Sequence, residues 1–291
     1  MSSSPLTVPN RGGRPRQMRR VLVDLLVYIL LLLGVASVIL PFVYMLASSL
    51  QSTIQISALT PQFWPNPFVW SNYQQVWNDL PMGRYYFNSA VVSIIITAGQ
   101  ALTASMAAYA FARLRFRGRS TLFGLYLGTL VIPSQVTLIP NYLIVRDLHW
   151  HNSYMGLIAP FVVSVFSTFL LRQFFMTIPT ELDDAARIDG ATHWQIYWHI
   201  ILPLARPALA TVVILTFLAS WNNFLWPLIV VDSPDLRTVP LSITAYQGQF
   251  AIAWGPLMAA ATLSLAPVLI VYIIMQKYVI EGIALSGQGG R

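Results

Sequence analysis

Six long apolar runs organise the chain, at about residues 21–47, 85–111, 120–144, 154–178, 207–231 and 254–276. Each is near or above the roughly 20 residues that a helix needs to cross a bilayer. The pattern therefore predicts an all-α, polytopic membrane bundle of six transmembrane helices. Pro41, Pro133, Pro140, Pro160 and Pro227 fall inside the runs, and membrane helices tolerate such breaks where neighbours satisfy the freed backbone groups. The longest connection, 48–84, carries TPQFWPNPFVWSNYQQVW, a mixture of Pro, Trp and Tyr suited to the headgroup level of a membrane. A short helix is predicted there around Ser71–Trp77, with Ser71 as its cap. Residues 1–20 read as a basic tail, 21–278 as one membrane domain and 279–291 as a second tail.

One connection breaks the apolar pattern. The stretch ELDDAARIDGATHWQIYWHIILPLARPAL, 181–209, holds four of the chain's ten acidic residues within its first nine positions. Thr180 is placed to cap a helix, with Asp183 three residues on as a variant of the capping box. Acidic residues in a first turn also complement the helix dipole. Gly190 is the natural stop, because glycine adopts the left-handed conformation without a Cβ penalty. Thr192 then restarts a helix, with Gln195 completing a second capping box, and Pro203 ends or bends it. Ile196, Ile200 and Pro203 recur on one face of that second helix. The reading is two short helices meeting at Gly190: too polar to cross a bilayer and too well capped to be floppy. An interfacial helix that pins the loop is the plainer alternative; a rigid helix end offered to a partner's groove is the functional one.

Composition supports lipid as a solvent. Hydrophobic residues make up 56% of the 291 and charged ones 9%, against roughly a quarter charged in soluble domains. The net charge of +7 raises the question of nucleic acid, and its distribution answers it. With the N-terminus in the cytoplasm, the inside holds Arg11, Arg14, Arg16, Arg19, Arg20, Arg113, Arg115, Arg117, Arg119, Arg172, Arg187, Arg206, Lys277 and Arg291, and the outside only Arg84, Arg146 and Arg237. That bias is the positive-inside pattern. RLRFRGR at 113–119 is accordingly a topology anchor, no nucleic-acid partner is expected, and both termini are expected inside. The first run exceeds the 7–15 residues of a signal-peptide core and reads as an uncleaved span. With no cysteine, disulfides and thiolate metal sites are excluded.

Several chemistries are also excluded or weakened. The only lysine, Lys277, sits in QKY, so there is no phosphate-binding loop. No ionisable residue lies deep in the runs, unlike the proton- and ion-coupled carriers that keep one at membrane depth. His149-Trp150-His151 falls short of a metal ligand set. Polar groups inside the runs are costly unless they face a bundle or cavity. Ser134, Gln135, Asn141, Asn222 and Asn223 are such groups, with Tyr142, Trp221 and Trp226 as rings able to stack on sugar faces. They are candidates for a solute pathway; helix–helix hydrogen bonding uses the same residue types.

Glu181, Ala185-Ala186, Asp189-Gly190-Ala191, Ile201-x-Pro203 and Pro207 together resemble the "EAA" loop of ABC importer permeases. The family's glutamate directly precedes the two alanines; here Asp184 holds that position and Glu181 the helix start. AAYAFARLRFRGR at 107–119, WNNFLWPLIV at 221–230 and WGPLMAAATL at 254–263 resemble the maltose-type branch, and within it the second of two paired permeases. The resemblance implies a non-catalytic transport subunit of a bacterial or archaeal inner membrane, with 179–206 as its coupling loop. Glu181, Asp184, Ala185, Ala186, Asp189, Gly190 and Ala191 would form the ATPase-docking surface. It further implies a heterodimer with a second permease subunit, two ATP-binding subunits that carry the ATP and Mg, and an extracytoplasmic solute-binding protein, with no cofactor on this chain. The expected cargo is a sugar or oligosaccharide; alternatives are another polar solute such as glycerol phosphate, or an ion-coupled secondary carrier. The C-terminal IEGIALSGQGGR, with Arg291 as its single basic residue, departs from the family's ATPase-contacting tail.

Overall fold

A computed structural model describes residues 14–58, 60, 62–248 and 252–287; residues 1–13 of the basic tail and 288–291 of the C-terminal tail lie outside the described residues. Among those described there is no β-strand, only an isolated bridge between Gln247 and Ile252. Three unbroken helical stretches are long and apolar enough to span a membrane: Val23–Ser49, Met82–Arg113 and Trp254–Ile274. They belong to α1 (Arg14–Ser49), α4 (Met82–Arg113) and α14 (Trp254–Gly287). Helix α1 thus begins inside the segment read as a tail, and α14 runs on through most of the second one. Between α1 and α4 lie the short α2 (Thr53–Ile56) and α3 (Ser71–Asp79). Trp70, not Ser71, is the residue before α3, and no side chain caps it.

The other apolar runs are broken rather than continuous. Run 120–144 is α5 (Arg119–Gly128), a tight turn, then α6 (Ser134–Asp147), with the two halves bent by 98°. The break falls at Ile132, whose extended backbone (φ −78°, ψ 115°) is what a following proline imposes. Run 154–178 divides into α7 (Tyr154–Ile158) with its short extension and α8 (Val165–Thr177), bent by 41°. Ser164 restarts the chain there by accepting the Ser167 N–H. Run 207–231 becomes α12 (Arg206–Trp221) and α13 (Leu225–Val230).

Helix α4 is the axis. Ser105, Tyr109 and Arg113, four apart, lie on its buried face near the C-terminal end, and Tyr85, Ser89, Val92 and Ile96 on its buried face near the start. It packs along α8 and α12, while α14 lies against α12 and α1. Most of α1 is exposed on its own. At the opposite end of α4 from the 179–206 loop, Asn88 donates to the carbonyls of Asp235 and Arg237, each at 2.8 Å, and accepts the Tyr154 hydroxyl at 2.6 Å. These bonds tie the 232–246 loop to α4.

Candidate functional site: a braced knob and a polar cleft

The segment after α8 folds as two short helical pieces. Helix α9 (Glu181–Ile188) ends in a Schellman motif: the N–H of Gly190 reaches the carbonyl of Arg187 at 3.0 Å, and that of Ala191 reaches Ala186 at 2.9 Å. Gly190 has φ +82°, the left-handed conformation expected of it. Thr192 accepts the Gln195 N–H while Gln195 Oε1 accepts the Thr192 N–H at 2.8 Å, so the second capping box forms. It opens a helical segment made of α10 (His193–Ile196), a π turn over Tyr197–Ile201 and α11 (Leu202–Leu204). That segment meets α12 at 78°.

Two local expectations change. Thr180 sits in helical conformation (φ −72°, ψ −19°) rather than the extended one of a capping residue, and makes no side-chain cap. Asp183, expected to complete that box, instead faces inward. In the second helix the buried face is Ile196 and Ile201 rather than Ile196, Ile200 and Pro203; Pro203 is exposed. The π turn, in which the Leu202 N–H reaches the Tyr197 carbonyl, closes five residues apart and so moves position i+5 onto the face that an α-helix gives to i+4.

The base of this knob is fastened to α4 and α8. Arg113, on the last turn of α4, donates from one terminal nitrogen to the carbonyls of Phe175 and Ile178 at 2.9 and 2.7 Å; the Phe175 carbonyl also accepts the Ile178 N–H at 3.3 Å, while that of Ile178 lies past the last turn of α8, where intrahelical donors run out. Its Nε lies 3.5 Å from Asp183 Oδ2, an ion-pair contact without a hydrogen bond, with both side chains about 95% shielded from solvent. Burial raises the Asp183 pKa above the usual carboxylate range; Arg113 and Arg187 offset this only partly. One turn earlier Tyr109 packs against Tyr197 with ring centroids 5.4 Å apart, and one turn before that Ser105 shares a 2.8 Å hydrogen bond with the Tyr197 hydroxyl. Ala186 and Ala191 pack partly buried against the core formed by Ala108, Tyr109, Phe175, Ile178, Ile196 and Tyr197.

The outer face of the knob is open. Glu181, Asp184, Ala185, Asp189 and Gly190 are all exposed, with Ala186 and Ala191 half-buried. Apolar Ile188 is 87% exposed beside them, and Trp194 and Trp198 also stand out. The knob thus presents an apolar tip with a carboxylate rim, on a base held to α4 and α8 by buried contacts.

Inside the bundle, a cleft of about 510 Å³ lies between α4, α8 and α12. Half of its twelve lining residues are polar: Gln100, Ser164, Ser167, Thr216, Ser220 and Asn223. Gln100 ties three elements together. Its Nε2 donates to the Phe161 carbonyl at 2.7 Å, and its Oε1 accepts the hydroxyls of Ser167 at 3.1 Å and Thr216 at 2.9 Å. Thr103 donates to the Val162 carbonyl at 2.7 Å, so the non-helical backbone at 162–164 is satisfied from α4. Gly99 permits the approach, since a Cβ there would lie 3.1 Å from the Val162 side chain. Ser220 Oγ is buried without a partner. Replacing Gln100 with Leu removes three interhelical hydrogen bonds worth about 0.6 kcal/mol each in a membrane protein. The expected result is a loss of about 2 kcal/mol, read as a lowered thermal unfolding midpoint in detergent.

Of the eight pathway candidates named from the sequence, only Asn223 lines this cleft. Trp221 is buried, donates its indole N–H to the Ser264 carbonyl at 3.1 Å and stacks on Phe217. Trp226 is buried, donates to the Gly156 carbonyl at 3.0 Å and packs edge-on against Phe161. Neither ring has a free face, so both are packing elements rather than sugar platforms. Asn222 donates back to the Leu218 carbonyl at 2.9 Å, and Asn223 Oδ1 accepts the Trp226 N–H at 3.3 Å; together they break the run between α12 and α13. Ser134 and Gln135 are exposed at the start of α6; Asn141 and Tyr142 lie further along it, the latter edge-on against His151. His151 Nδ1 lies 3.7 Å from Asp232, and no group of three metal-ligating side chains occurs among the described residues.

Fold and site together define a helical membrane protein whose spans are braced against a rigid exposed knob. The model of the binding-protein-dependent transport system inner membrane component family matches residues 100–284, and this chain belongs to that family: it is a permease subunit of an ABC importer in a bacterial inner membrane. It is 34% identical over 272 residues to the sn-glycerol-3-phosphate transport system permease protein UgpE of Yersinia enterocolitica, covering 90% of this chain and 96% of the relative. It is 35% identical over 207 residues to the arabinooligosaccharides transport system permease protein AraQ of Bacillus subtilis, covering 71% of this chain and 74% of the relative. Its structure matches a chain of a bacterial ABC transporter involved in import of the acidic polysaccharide alginate, with a TM-score of 0.76 at 24% identity, covering 93% of this chain and 99% of that one; this likeness is one of fold.

Proposed function

We propose that this chain is one of two paired permease subunits that translocate a neutral sugar or oligosaccharide. An extracytoplasmic solute-binding protein delivers the solute, and two separate ATPase subunits, which hold the ATP and Mg, drive its passage. The termini and the 179–206 loop lie in the cytoplasm, supported by the 14-to-3 distribution of basic residues. The carrying observation is the knob: an exposed surface of Glu181, Asp184, Ala185, Asp189 and Gly190 around Ile188, rigidly joined through Arg113 and Asp183 to α4 and α8. Closure of an ATPase dimer docked there moves α9 as a lever. The close-packed base transmits the motion to the spans as a rigid-body change, opening the cleft to one side of the membrane and then to the other. Gln100, Ser164, Ser167, Thr216, Ser220 and Asn223 offer hydroxyl and amide partners to a hydroxylated solute.

Glycerol phosphate is the second reading, favoured by the relative named for its transport. The twelve residues lining the cleft include no Lys, Arg or His, and a phosphate buried away from a cation is expensive. Uptake by the transporter reconstituted with its partner permease, ATPase and binding protein tests both. ATP-dependent accumulation of labelled neutral oligosaccharide, with no competition from glycerol 3-phosphate, is expected; competition by the phosphate ester would transfer the assignment to it. Uptake by this chain alone, without ATP, would overturn both.

A further inference from the structure

The α4–α5 loop carries charge that the ion pairs among the described residues do not use. Arg115, Arg117 and Arg119, with Phe116 between them, line a shallow cleft of about 540 Å³. Arg172 approaches from α8: its guanidinium lies 4.0 Å over the Phe123 ring and its Nε donates to the Phe111 carbonyl at 3.2 Å. Arg119 is held in place by donating to the Leu114 carbonyl at 3.0 Å. The ring of Phe111 joins the corner together, 6.2 Å from Phe116 and 5.1 Å from Phe123.

Among the described residues, none of these four arginines pairs with a carboxylate; the nearby ion pair uses Arg113 and Asp183. A topology signal explains why the loop is basic. It does not explain why like charges are held at one corner, two of them fixed by carbonyl bonds, where each repels the next. An anion between them relieves that repulsion, and guanidinium forks match phosphate oxygens bidentately. The apolar surroundings say which anion. Phe116 is 41% exposed, and Leu122 and Leu125 on α5 are 53% and 69% exposed. The cationic corner therefore runs directly into a bare apolar face, which suits an amphiphile and not a free ion.

We propose that Arg115, Arg117, Arg119 and Arg172 form a binding site for the phosphate headgroup of an anionic phospholipid, with its acyl chain along the Phe116–Leu125 face. The proposal rests on the membrane placement of the chain, with the cytoplasmic orientation naming the leaflet; it is independent of the solute carried.

The test is phospholipid retention by the assembled transporter, extracted in mild detergent and read by native mass spectrometry. Wild type is expected to keep phosphatidylglycerol or cardiolipin several-fold over phosphatidylethanolamine, relative to the membrane it came from. Arg115→Gln/Arg117→Gln/Arg119→Gln is expected to lose that preference while ATP-driven uptake establishes that the assembly and its orientation persist. Equal retention in wild type and variant overturns the site. Displacement of the lipid by inorganic phosphate alone shows a free-phosphate site and overturns the lipid assignment. Should the triple variant fail to insert, wild type exchanged into nanodiscs of phosphatidylcholine doped with phosphatidylglycerol decides: selective retention of the anionic lipid supports the site, and indiscriminate retention sinks it.

Discussion

Gly190→Val is expected to abolish most ATP-driven uptake while the chain still inserts and assembles with its partner permease. Gly190 adopts φ +82° and passes its N–H and that of Ala191 back to α9. A residue with a Cβ pays about 1–2 kcal/mol to hold this conformation, and a β-branched one is a genuine outlier there. The cost is conformational and not a clash, because a Cβ at Gly190 has nothing within 4 Å. The effect should therefore be graded by backbone preference and not by size. Asn, which tolerates the left-handed region, is expected to be nearly silent; Ala should lose about 5–30-fold of the docked geometry, and Val more. Uptake and binding-protein-stimulated ATP hydrolysis are the readouts. A Val variant that transports at the wild-type rate removes the knob from the coupling path.

Arg113→Met is expected to cost about 3–5 kcal/mol, the penalty of leaving one partner of a buried ion pair uncompensated, because it strands Asp183. It also removes the donor to the Ile178 carbonyl at the end of α8. The exposed Asp184–Arg187 pair at 3.9 Å is a contrast of known size, since losing such a pair costs about 0–1 kcal/mol. Arg113→Met/Asp183→Leu should regain part of the stability, as apolar replacement of a buried pair often does, but not the whole, because the Ile178 carbonyl stays short of its donor. Uptake should fall further than stability in both, since α9 is no longer bolted to α4. Thermal unfolding and ATPase stimulation separate the two effects. The raised pKa of Asp183 sets a sign for acid. The native state then binds the proton more readily than the unfolded chain, so lowering pH through that range adds to folding stability while removing the charge that holds Arg113. Coupling is expected to weaken in mild acid without unfolding, and Asp183→Asn should flatten that pH profile.

What could be read in advance follows the range of the interaction. Gly190 as a left-handed stop and Thr192 with Gln195 as a capping box depend on residues at most three apart, so they were legible. So were the apolar spans, whose lengths answer to the bilayer. The bend at Ile132–Pro133 was carried by a visible proline, but its 98° is not set by the local sequence. The π turn at Tyr197–Ile201 leaves no local signature and changes which isoleucine is buried. Arg113 was visible as a basic residue on the buried spacing Ser105, Tyr109, Arg113; its partner Asp183 was spent on a cap that Thr180 does not make. Gln100 lay within an apolar run, and only the approach of α8 and α12 makes it the centre of a cleft. Trp221 and Trp226 show the reverse error: amphipathic rings suited to a sugar were claimed by neighbouring carbonyls 43 and 70 residues away.

The chain has no cysteine, so Ile188→Cys, at the 87% exposed tip of the knob, gives this subunit a single thiol. Maleimide labelling of that thiol, with and without the ATPase subunits, tests the docking directly. Strong labelling of the permease pair alone, protection on assembly, and a short bifunctional thiol-to-amine cross-link to the ATPase chain are predicted, with a control cysteine at exposed Trp64 unaffected. Equal labelling of Ile188→Cys in both states, with the assembly intact, contradicts the account.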